Sequence, residues 1–548
     1  MIYLFLILVC SPLLISSESL PYAEWAHYHM IWLSNDRSNQ TNVQAMFDGF
    51  NNHQIPFGAL NIDSCWASNF NTFIFNSTLF PSAREMLDGF RSKGTHIILW
   101  MTSFINIDSP NYQYAQDHGY LFNQTIHWWH GNGRLLNYFN TDALNWWNSQ
   151  IKNLVDTFGP IHAFKVRMKS SFLFFSFFYF YYQKADESDP YIIQVNNSNV
   201  TWEQYRTAYY NNTFQILRQL VGPDALIMSR PVDKDLRYSP KEVVYIGWVG
   251  DELGTYNGLK GALRYMLESG RDGYVGFGSD IGGFLFDHGS GPLGRTKEVF
   301  LRWTAVGALS SFMENGGQGE HFPWNFDNET TDIYRSWVNL HYKLVPYLYS
   351  EGTKVAIGQN GTLMKPCDDT QAVSSQSYFL GPNIYVVPVP EDPTPGQKKT
   401  IWLPKSSTQQ WINYFNTSIV YKAETFINED TSRLDRIPLY VQQNSLMAMY
   451  DMEKSPSLNA FKFVFWGNII IDRQTTTTTL FTRDGQQWSL QFDAKQKTFT
   501  VKFVKQYDSV KTEDWIWKFC QYVNEREICS DDWIRLYHGA SIQLHALI

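Results

Sequence analysis

The 548-residue chain predicts an α/β fold, in which a (β/α)8 TIM barrel is followed by C-terminal antiparallel β-sandwich domains. From about residue 25 to 350, short β-rich apolar runs alternate with longer amphipathic stretches, as in repeated βα units. After about residue 355 the pattern changes to strands and turns without a long helix, which is typical of sandwiches. The chain is also too long for one ordinary core.

Eight apolar runs predict the barrel strands. In chain order they are "YHMIWL" from Tyr28, "GALNID" ending at Asp63, "THIILWM" from Thr95, "AFKV" from Ala163, "ALIMSR" ending at Arg230, "VVYIGW" ending at Trp248, "GYVGFGS" from Gly273 and "SSFMEN" from Ser310. The helical patterns between them, such as "AREMLDGFRSKG" and "NGLKGALRYMLESG", end in Gly or begin after Asp, Asn or Thr, as capped helices do.

These patterns predict four units along the chain. They are a signal peptide at 1–18, the barrel at 22–352, a proximal β-sandwich at 353–450 and a distal β-sandwich at 451–548. The first residues, "MIYLFLILVCSPLLISSES", are apolar and then small and polar, although they lack a basic start; an uncleaved anchor is the alternative to a cleaved signal.

The apolar first residues and the sequons favour a secreted protein or one in the lumen of the secretory pathway or lysosome. The net charge of -8 is spread along the chain, which argues against a nucleic-acid partner, and we expect no stable membrane span. The sequence does not indicate an oligomeric state. The Asn-x-Ser/Thr sequons are at Asn39, Asn76, Asn123, Asn196, Asn199, Asn211, Asn328, Asn360 and Asn416.

The cysteine spacing predicts structural cysteines and no metal site. Without Cys10 in the signal, four cysteines remain, and Cys520 with Cys529 is the expected disulfide because the loop between them is short. Cys65 and Cys367 are then a second pair or buried thiols. No CxxC pair or His-Cys cluster has zinc spacing.

Polar residues follow several predicted strands and converge at one rim of such a barrel. They are Asp63, Arg230, Asp251 and Asp280. Asp251 and Asp280 lie in "GWVGDELGTYNGLKGALRYMLESGRDGYVGFGSDIGGF", each just past a strand. From spacing alone two interpretations stay open: a functional pair, or a helix cap at Asp251 and a turn-stabilising carboxylate at Asp280.

This stretch resembles the catalytic core of glycoside hydrolase family 31, which carries W-x-G-D and then G-x-D-I-x-G-F. "NID", "FK", "IMSRPVD", "FLRWTAVGALSSFMENGG" and "GEHFPW" keep the family order. The resemblance implies a retaining α-glycosidase without metal or organic cofactor, acting on an α-linked oligosaccharide or glycoconjugate. It implies that Asp251 is the acid/base.

The same resemblance implies a set of substrate-binding residues. They are Asp63, Lys165, Arg230, Trp248, Asp280, Phe284 and His321. Alternatives stay open: Trp248 and Phe284 as core residues, and Arg230 as the counter-ion of a carboxylate. For His321 the family's Arg-x-His pattern is not reproduced, because the neighbourhood reads "FMENGGQGEHFPW".

The nucleophile segment departs from the family pattern F-K-x-D-x-G-E. After "FKV" comes "RMKSSFLFFSFFYFYYQ", an aromatic insertion at about 166–184, and then "KADES". If the block is an insertion, Asp186 is the candidate nucleophile; if the motif is aligned on its alanine and glutamate, Lys184 occupies that position and the protein is an inactive carbohydrate- or protein-binding relative. The block is too short to span a bilayer, and a translated intron is one hypothesis for it.

One further departure concerns the start of the barrel. Family members usually carry a β-sandwich domain before the barrel, whereas here the barrel begins almost directly after the predicted signal. The expectation at this point is a short-form enzyme or a truncated gene model.

Overall fold

The computed structural model of the protein describes residues 19–128, 130–166, 193–195, 198–230, 232, 238–358, 361–372, 376–452, 460–466, 475–493, 495–496, 498–507, 516–523, 526–529, 534–535 and 541–545. Several predictions lie outside these residues: the signal peptide at 1–18, the aromatic block after Val166, Asp186 with its alternative Lys184, and the sequon asparagines Asn196 and Asn360.

The first part of the chain contains thirteen strands among the described residues. They are β1 (Met30–Leu33), β2 (Ala59–Ile62), β3 (His96–Met101), β4 (Phe104–Asn106), β5 (Leu121–Trp128), β6 (Gly131–Leu136), β7 (Ala163–Val166), β8 (Ile193–Val195), β9 (Ser198–Val200), β10 (Leu226–Ser229), β11 (Val244–Val249), β12 (Gly278–Ser279) and β13 (Glu314–Asn315).

Eight of these described strands form the parallel barrel, in the order β12-β11-β10-β7-β3-β2-β1-β13. A bridge between Asp280, which directly follows β12, and Glu314, the first residue of β13, joins the two edges of this sheet. The eight strands correspond to the eight predicted runs, so the predicted fold class is confirmed. The shared rim at their carboxyl ends positions the site.

The last two barrel strands are shorter than predicted. Upstream of β12, the hydroxyl of Ser311 accepts a hydrogen bond from the N–H of Phe277 (2.8 Å) and donates one to its carbonyl (3.0 Å). The hydroxyl of Ser310 likewise donates to the carbonyl of Phe312 (2.9 Å). These side chains satisfy backbone groups that a longer ladder would pair, so the regular strands begin later.

The described helices connect and surround these strands. They are α1 (Gln40–Asn52), α2 (Ala83–Ser92), α3 (Tyr112–Asp117), α4 (Thr141–Phe158), α5 (Trp202–Val221), α6 (Tyr256–Arg271), α7 (Lys297–Ala308) and α8 (Asn328–Ala356). Most begin behind a capping side chain; Thr201, for example, forms a reciprocal capping box with Gln204 at the start of α5. Within the described part of the chain, no helix combines the length and the apolar character needed to cross a membrane.

An antiparallel sheet that the sequence patterns did not predict lies between β3 and α4. Its strand order is β4-β6-β5. Trp128, in β5, donates from its indole Nε1 to the amide oxygen of Asn106 (2.7 Å) and packs against Phe104. This sheet therefore stands beside the barrel rim at the end of β3.

The C-terminal part consists of β-sheets, as predicted. Its described strands are β14 (Met364–Pro366), β15 (Tyr378–Leu380), β16 (Ile384–Val386), β17 (Lys398–Leu403), β18 (Gln410–Asn413), β19 (Val420–Lys422), β20 (Thr425–Asp430), β21 (Leu439–Gln442), β22 (Ser445–Tyr450), β23 (Ala460–Trp466), β24 (Thr475–Phe481), β25 (Gln486–Asp493), β26 (Thr498–Gln506), β27 (Ile516–Val523), β28 (Arg526–Cys529), β29 (Ile534–Arg535) and β30 (Ser541–His545).

These strands form two pairs of sheets. The first pair has the orders β14-β15-β16-β21-β18-β19 and β17-β20, and the second has β22-β23-β27-β28, with β29 beside β27, and β24-β25-β26-β30. Pairing is antiparallel except between β23 and β27, which run parallel. The predicted disulfide between Cys520 and Cys529 is confirmed, because it joins directly opposed residues of β27 and β28. Cys65 and Cys367 are free thiols.

Buried polar contacts connect the sheets to the barrel. The guanidinium of Arg302, in α7, donates to the carbonyls of Arg433 and Thr431 in the segment between β20 and β21. The hydroxyl of Tyr450, in β22, donates to the carboxylate of Glu24 before the first barrel strand (2.7 Å). These contacts hold the C-terminal sheets against the barrel wall.

Candidate active site

The predicted site residues lie at the carboxyl ends of the barrel strands. Asp63 and Arg230 directly follow β2 and β10, and Lys165 lies within β7. Trp248 is in β11, Asp251 comes two residues after that strand, and Asp280 directly follows β12. Parallel barrel strands end at one rim, so residues far apart in the chain meet there.

A cavity of about 210 Å³ opens between these strand ends within the described part of the chain. Its lining includes residues that the sequence predicted for the site: Asp63, Lys165, Arg230, Trp248, Asp251, Asp280 and Phe284. The other lining residues are Trp32, Asn35, Trp100 and Gln318. Pockets for drug-sized ligands usually measure about 300–1,000 Å³. The smaller volume here suits a single compact polar ring.

Cations and carboxylates alternate around the cavity. The guanidinium Nη2 of Arg230 donates to Oδ1 of Asp251, and both side chains are buried. The ammonium of Lys165 lies 3.8 Å from Oδ2 of Asp63. It also lies 3.7 Å from the ring centroid of Trp32 and 4.5 Å from that of Trp248, where the faces of the indoles attract a cation.

Aromatic rings form one wall of the cavity. Trp32 and Phe284 stack with their centroids 6.0 Å apart and their planes at 9°. The indole Nε1 of Trp32 is buried and has no hydrogen-bond acceptor among the described residues. An apolar face next to an unused donor is what a sugar ring with its hydroxyl groups requires.

A second buried carboxyl group lies behind Asp280. Burial raises the pKa of Asp280 to about 6, although the Lys165 ammonium opposes this shift. Burial raises the pKa of Glu314 well above its usual range, and the negative charge of Asp280 raises it further. The site therefore contains two carboxyl groups that cannot both ionise without a large energetic cost.

Arg295 holds the turn that carries Asp280 and Phe284. Its guanidinium donates to the carbonyls of Gly282 (2.9 Å) and Gly283 (3.1 Å), and also to that of Gln318. Gly283 has a φ of 83°, and a Cβ there would lie 2.9 Å from the backbone of Gly254. The glycines of "DIGGF" thus allow the tight turn that brings Phe284 to the cavity.

The structure does not bring His321 to the cavity. Its buried ring is held by Oδ1 of Asn315 (3.2 Å from Nδ1) and by the carbonyl of Gln318 (3.2 Å from Nε2). Burial lowers the pKa of His321 well below its usual range, and the charge of Arg295 lowers it further. In this structure His321 shapes the loop that presents Gln318, whereas the prediction had it contact the substrate directly.

Several site residues were absent from the sequence-based prediction. Trp32 and Glu314 both stand in runs that were predicted as strands, and a glutamate inside a barrel strand was the available signal for Glu314. Asn35, Trp100 and Gln318 follow no pattern that separates them from loop or core residues. Their place at the rim depends on the register of the barrel.

The arrangement is equipped for acid–base work on a neutral polar ligand. It combines buried carboxyl groups, two cations and aromatic faces in one small cavity. Among the described residues, no group of three or more His, Cys, Asp or Glu side chains has an arrangement that could hold a metal ion. Asp186 lies outside these residues, so its distance from Asp251 is not defined.

Comparison with known proteins identifies two matching sequence models. One, described as the glycosyl hydrolases family 31 TIM-barrel domain, matches residues 20–351. The other, described as the glycosyl hydrolase family 31 C-terminal domain, matches residues 360–447. The first match alone spans more than half of the chain.

Curated relatives and solved structures agree with these matches. The alpha-xylosidase XylQ of Lactiplantibacillus pentosus is 26% identical over 466 residues, covering 79% of this chain and 56% of the relative. An alpha-xylosidase of Emericella nidulans is 24% identical over 485 residues, covering 82% of this chain and 58% of the relative. The chain thus spans a little over half the length of these relatives.

The crystal structure of an alpha-xylosidase from Xanthomonas citri has a TM-score of 0.75 at 15% identity, covering 96% of this chain and 60% of that one. A dextranase from Flavobacterium johnsoniae, solved with glucose, has a TM-score of 0.74 at 17% identity, covering 91% and 63%. At these identities the similarity shows the shared fold.

Proposed function

The chain belongs to glycosyl hydrolase family 31, and from this premise we propose that it is a retaining α-glycosidase that releases terminal sugars from an α-linked oligosaccharide or glycoconjugate. The observation that supports the proposal most strongly is the cavity at the barrel rim, where carboxyl groups, cations and aromatic faces meet in about 210 Å³. That volume accommodates one sugar unit and matches cleavage at the end of a chain.

In the proposed double displacement, Asp251 protonates the leaving oxygen and later removes a proton from water. Its contact with Arg230 favours the ionised carboxylate, which is the form that removes a proton from water in the second step. Both groups are buried, which strengthens their electrostatic interaction. The same contact orients the carboxyl group toward the cavity.

Sugar binding is assigned to other residues that line the cavity. The carboxylate of Asp280 borders the cavity, and the indole Nε1 of Trp32 is a buried donor without an acceptor among the described residues. A sugar hydroxyl donates to the first and accepts from the second. Phe284 and Trp32 provide the apolar face against which the ring lies.

The nucleophile is proposed to be Asp186, on the alignment that treats the aromatic block as an insertion. A retaining mechanism needs this carboxylate about 5–5.5 Å from Asp251. Trapping with a 5-fluoro-α-glycosyl fluoride, followed by peptide mass spectrometry, identifies the attacking residue directly. A label on Asp186 supports the assignment, whereas a label on Asp63 or Asp280 would identify that residue as the nucleophile instead.

The activity is tested with a panel of aryl α-glycosides that differ in the sugar, because the sequence does not name it. Replacing Asp251 by Ala is expected to lower turnover by about 10²–10⁴-fold, with a smaller loss for leaving groups that need no proton. Azide is expected to rescue Asp251→Ala and to give the α-glycosyl azide, since it intercepts a β-linked intermediate. A β-glycosyl azide would identify Asp251 as the nucleophile and overturn its assignment.

The alternative is a catalytically inactive relative that binds carbohydrate or protein through the same cavity. The altered nucleophile segment favours it, because "KADES" does not reproduce the family motif. Saturable binding of a monosaccharide, measured by calorimetry, without turnover of any aryl α-glycoside would support this alternative against the enzyme.

We also propose that the protein enters the secretory pathway and carries N-linked glycans. Among the sequon asparagines, Asn123 at β5 and Asn328 at the start of α8 are exposed. Removal of N-glycans by an endoglycosidase is expected to increase the gel mobility of the protein expressed in a eukaryotic host. Replacing Asn123 and Asn328 by Gln should abolish part of this shift, and an unchanged mobility of the wild type would contradict the proposal.

A further inference from the structure

Glu314 occupies the seam at which the barrel closes. In β13 it pairs with Met30 of β1 on one side, and a parallel bridge joins it to Asp280 on the other. Its side chain is fully buried, with 0% of the residue exposed, and it does not line the cavity. The proposed mechanism gives this carboxyl group no task.

The two carboxyl groups at the seam have unsatisfied oxygens. Among the described residues, no hydrogen-bond donor reaches Oε1 or Oε2 of Glu314 or Oδ1 of Asp280. Two ionised carboxylates in contact repel each other, and burial increases the cost because water cannot screen them. A proton between them converts the repulsion into a hydrogen bond that engages one oxygen of each carboxyl group.

Burial decides which group keeps the proton, because the charges of Lys165 and Arg230 favour the ionised form of both Asp280 and Glu314. Asp280 borders the cavity, where the charges of Lys165 and Arg230 favour its ionised form and that of Asp251 opposes it. Arg295 also interacts with the charge of Asp280 from behind. Glu314 is more deeply buried, and burial is the largest influence that raises its pKa. The proton therefore belongs on Glu314.

Two further titratable groups stand near this seam. Asp63 faces Lys165 across the cavity, and His321 packs against the loop that follows Glu314. Burial lowers the pKa of His321 well below its usual range, so it carries no charge at neutral pH. His321 therefore supplies no proton to the pair.

We propose that Glu314 is a positioning residue whose neutral carboxyl group donates a hydrogen bond to Asp280 and holds that side chain, as a carboxylate, toward the bound sugar. The consequence for the sugar rests on the proposed function. A sugar hydroxyl then meets a preoriented acceptor. Ionisation of Glu314 at high pH removes the donor and weakens sugar binding.

Three variants test this role. Glu314→Gln keeps the shape and supplies an amide N–H in place of the acid proton, whereas Glu314→Leu keeps the volume without any donor. Glu351→Gln is the matched control, because Glu351 is a buried glutamate that pairs with Lys354 (2.6 Å) and does not line the cavity.

Thermal unfolding between pH 6 and 9 tests the protonation of Glu314 in the folded protein independently of any activity. In the folded protein Glu314 stays protonated, and in the unfolded chain it is ionised, so rising pH favours unfolding by up to about tenfold in the equilibrium constant per pH unit. The unfolding midpoint of the wild type and of Glu351→Gln should therefore fall more steeply with pH than that of Glu314→Gln. Equal slopes in all of these proteins would overturn the proposal.

Sugar binding and turnover form the second measurement. At pH 6–7, Glu314→Gln should remain within about threefold of the wild type, and Glu314→Leu should raise KM by about 10–100-fold, the loss of one hydrogen bond to a charged group. Above the pH at which the wild type loses binding, Glu314→Gln should retain it. If Gln and Leu variants were equally impaired at every pH, Glu314 would serve packing alone. If the wild type showed neither turnover nor sugar binding, the proposed glycosidase would be refuted. The pH dependence of unfolding would still test whether Glu314 is protonated in the folded protein.

Discussion

The ion pair between Arg230 and Asp251 allows a quantitative prediction about stability. Both side chains are buried, with 3% and 9% of their surfaces exposed, and the guanidinium donates directly to the carboxylate. Replacing Arg230 by Met leaves a buried carboxylate without this cation, which we expect to cost about 3–5 kcal/mol. With Asn at position 251, the interaction that the same replacement removes between these two positions is a hydrogen bond to a neutral group, about 1 kcal/mol.

The double-mutant cycle of Arg230→Met and Asp251→Asn should therefore show a coupling of about 2–4 kcal/mol, the difference between these two costs. Pulse proteolysis in urea at pH 7 measures the free energy of unfolding of the four proteins without relying on activity. A cycle on the exposed pair Arg84 and Asp88 provides the control and should give less than about 1 kcal/mol. If the two buried substitutions were additive within about 0.5 kcal/mol, the ion pair would contribute nothing specific and the reasoning would fail.

Lys165→Met removes the cation that opposes the raised pKa of Asp280. The acid limb of sugar binding, which needs ionised Asp280, should move upward by about 1–3 pH units in calorimetric titrations; an unmoved limb would exclude this interaction. Arg302→Met should lower the free energy of unfolding by about 3 kcal/mol, since two buried carbonyls lose a charged donor, and Arg302→Lys should lose less. Replacing Cys520 and Cys529 by Ala should cost about 2.5 kcal/mol from the short loop they close, seen as a lower unfolding midpoint; reductant should reproduce the loss in the wild type only.

Much of the fold could be predicted from local patterns. Apolar runs of strand length separated by amphipathic helices specify βα units, and the barrel follows because eight such strands can close. The convergence of Asp63, Asp251 and Asp280 also followed from the sequence, since each stands just past a strand and all barrel strands end at one rim. The disulfide between Cys520 and Cys529 was predictable because only a short loop separates the two residues.

The sequence by itself therefore determined the layers, the rim and most of the residues that gather at it. Only the tertiary structure decided which side chains face each other across strands that are distant in the chain. Closure of the barrel places Glu314 against Asp280, turns the Trp32 ring onto Phe284 and withdraws His321 behind the cavity. Burial and the distances between charges depend on that closure, so the protonation of the site is a property of the folded barrel that no local pattern contains.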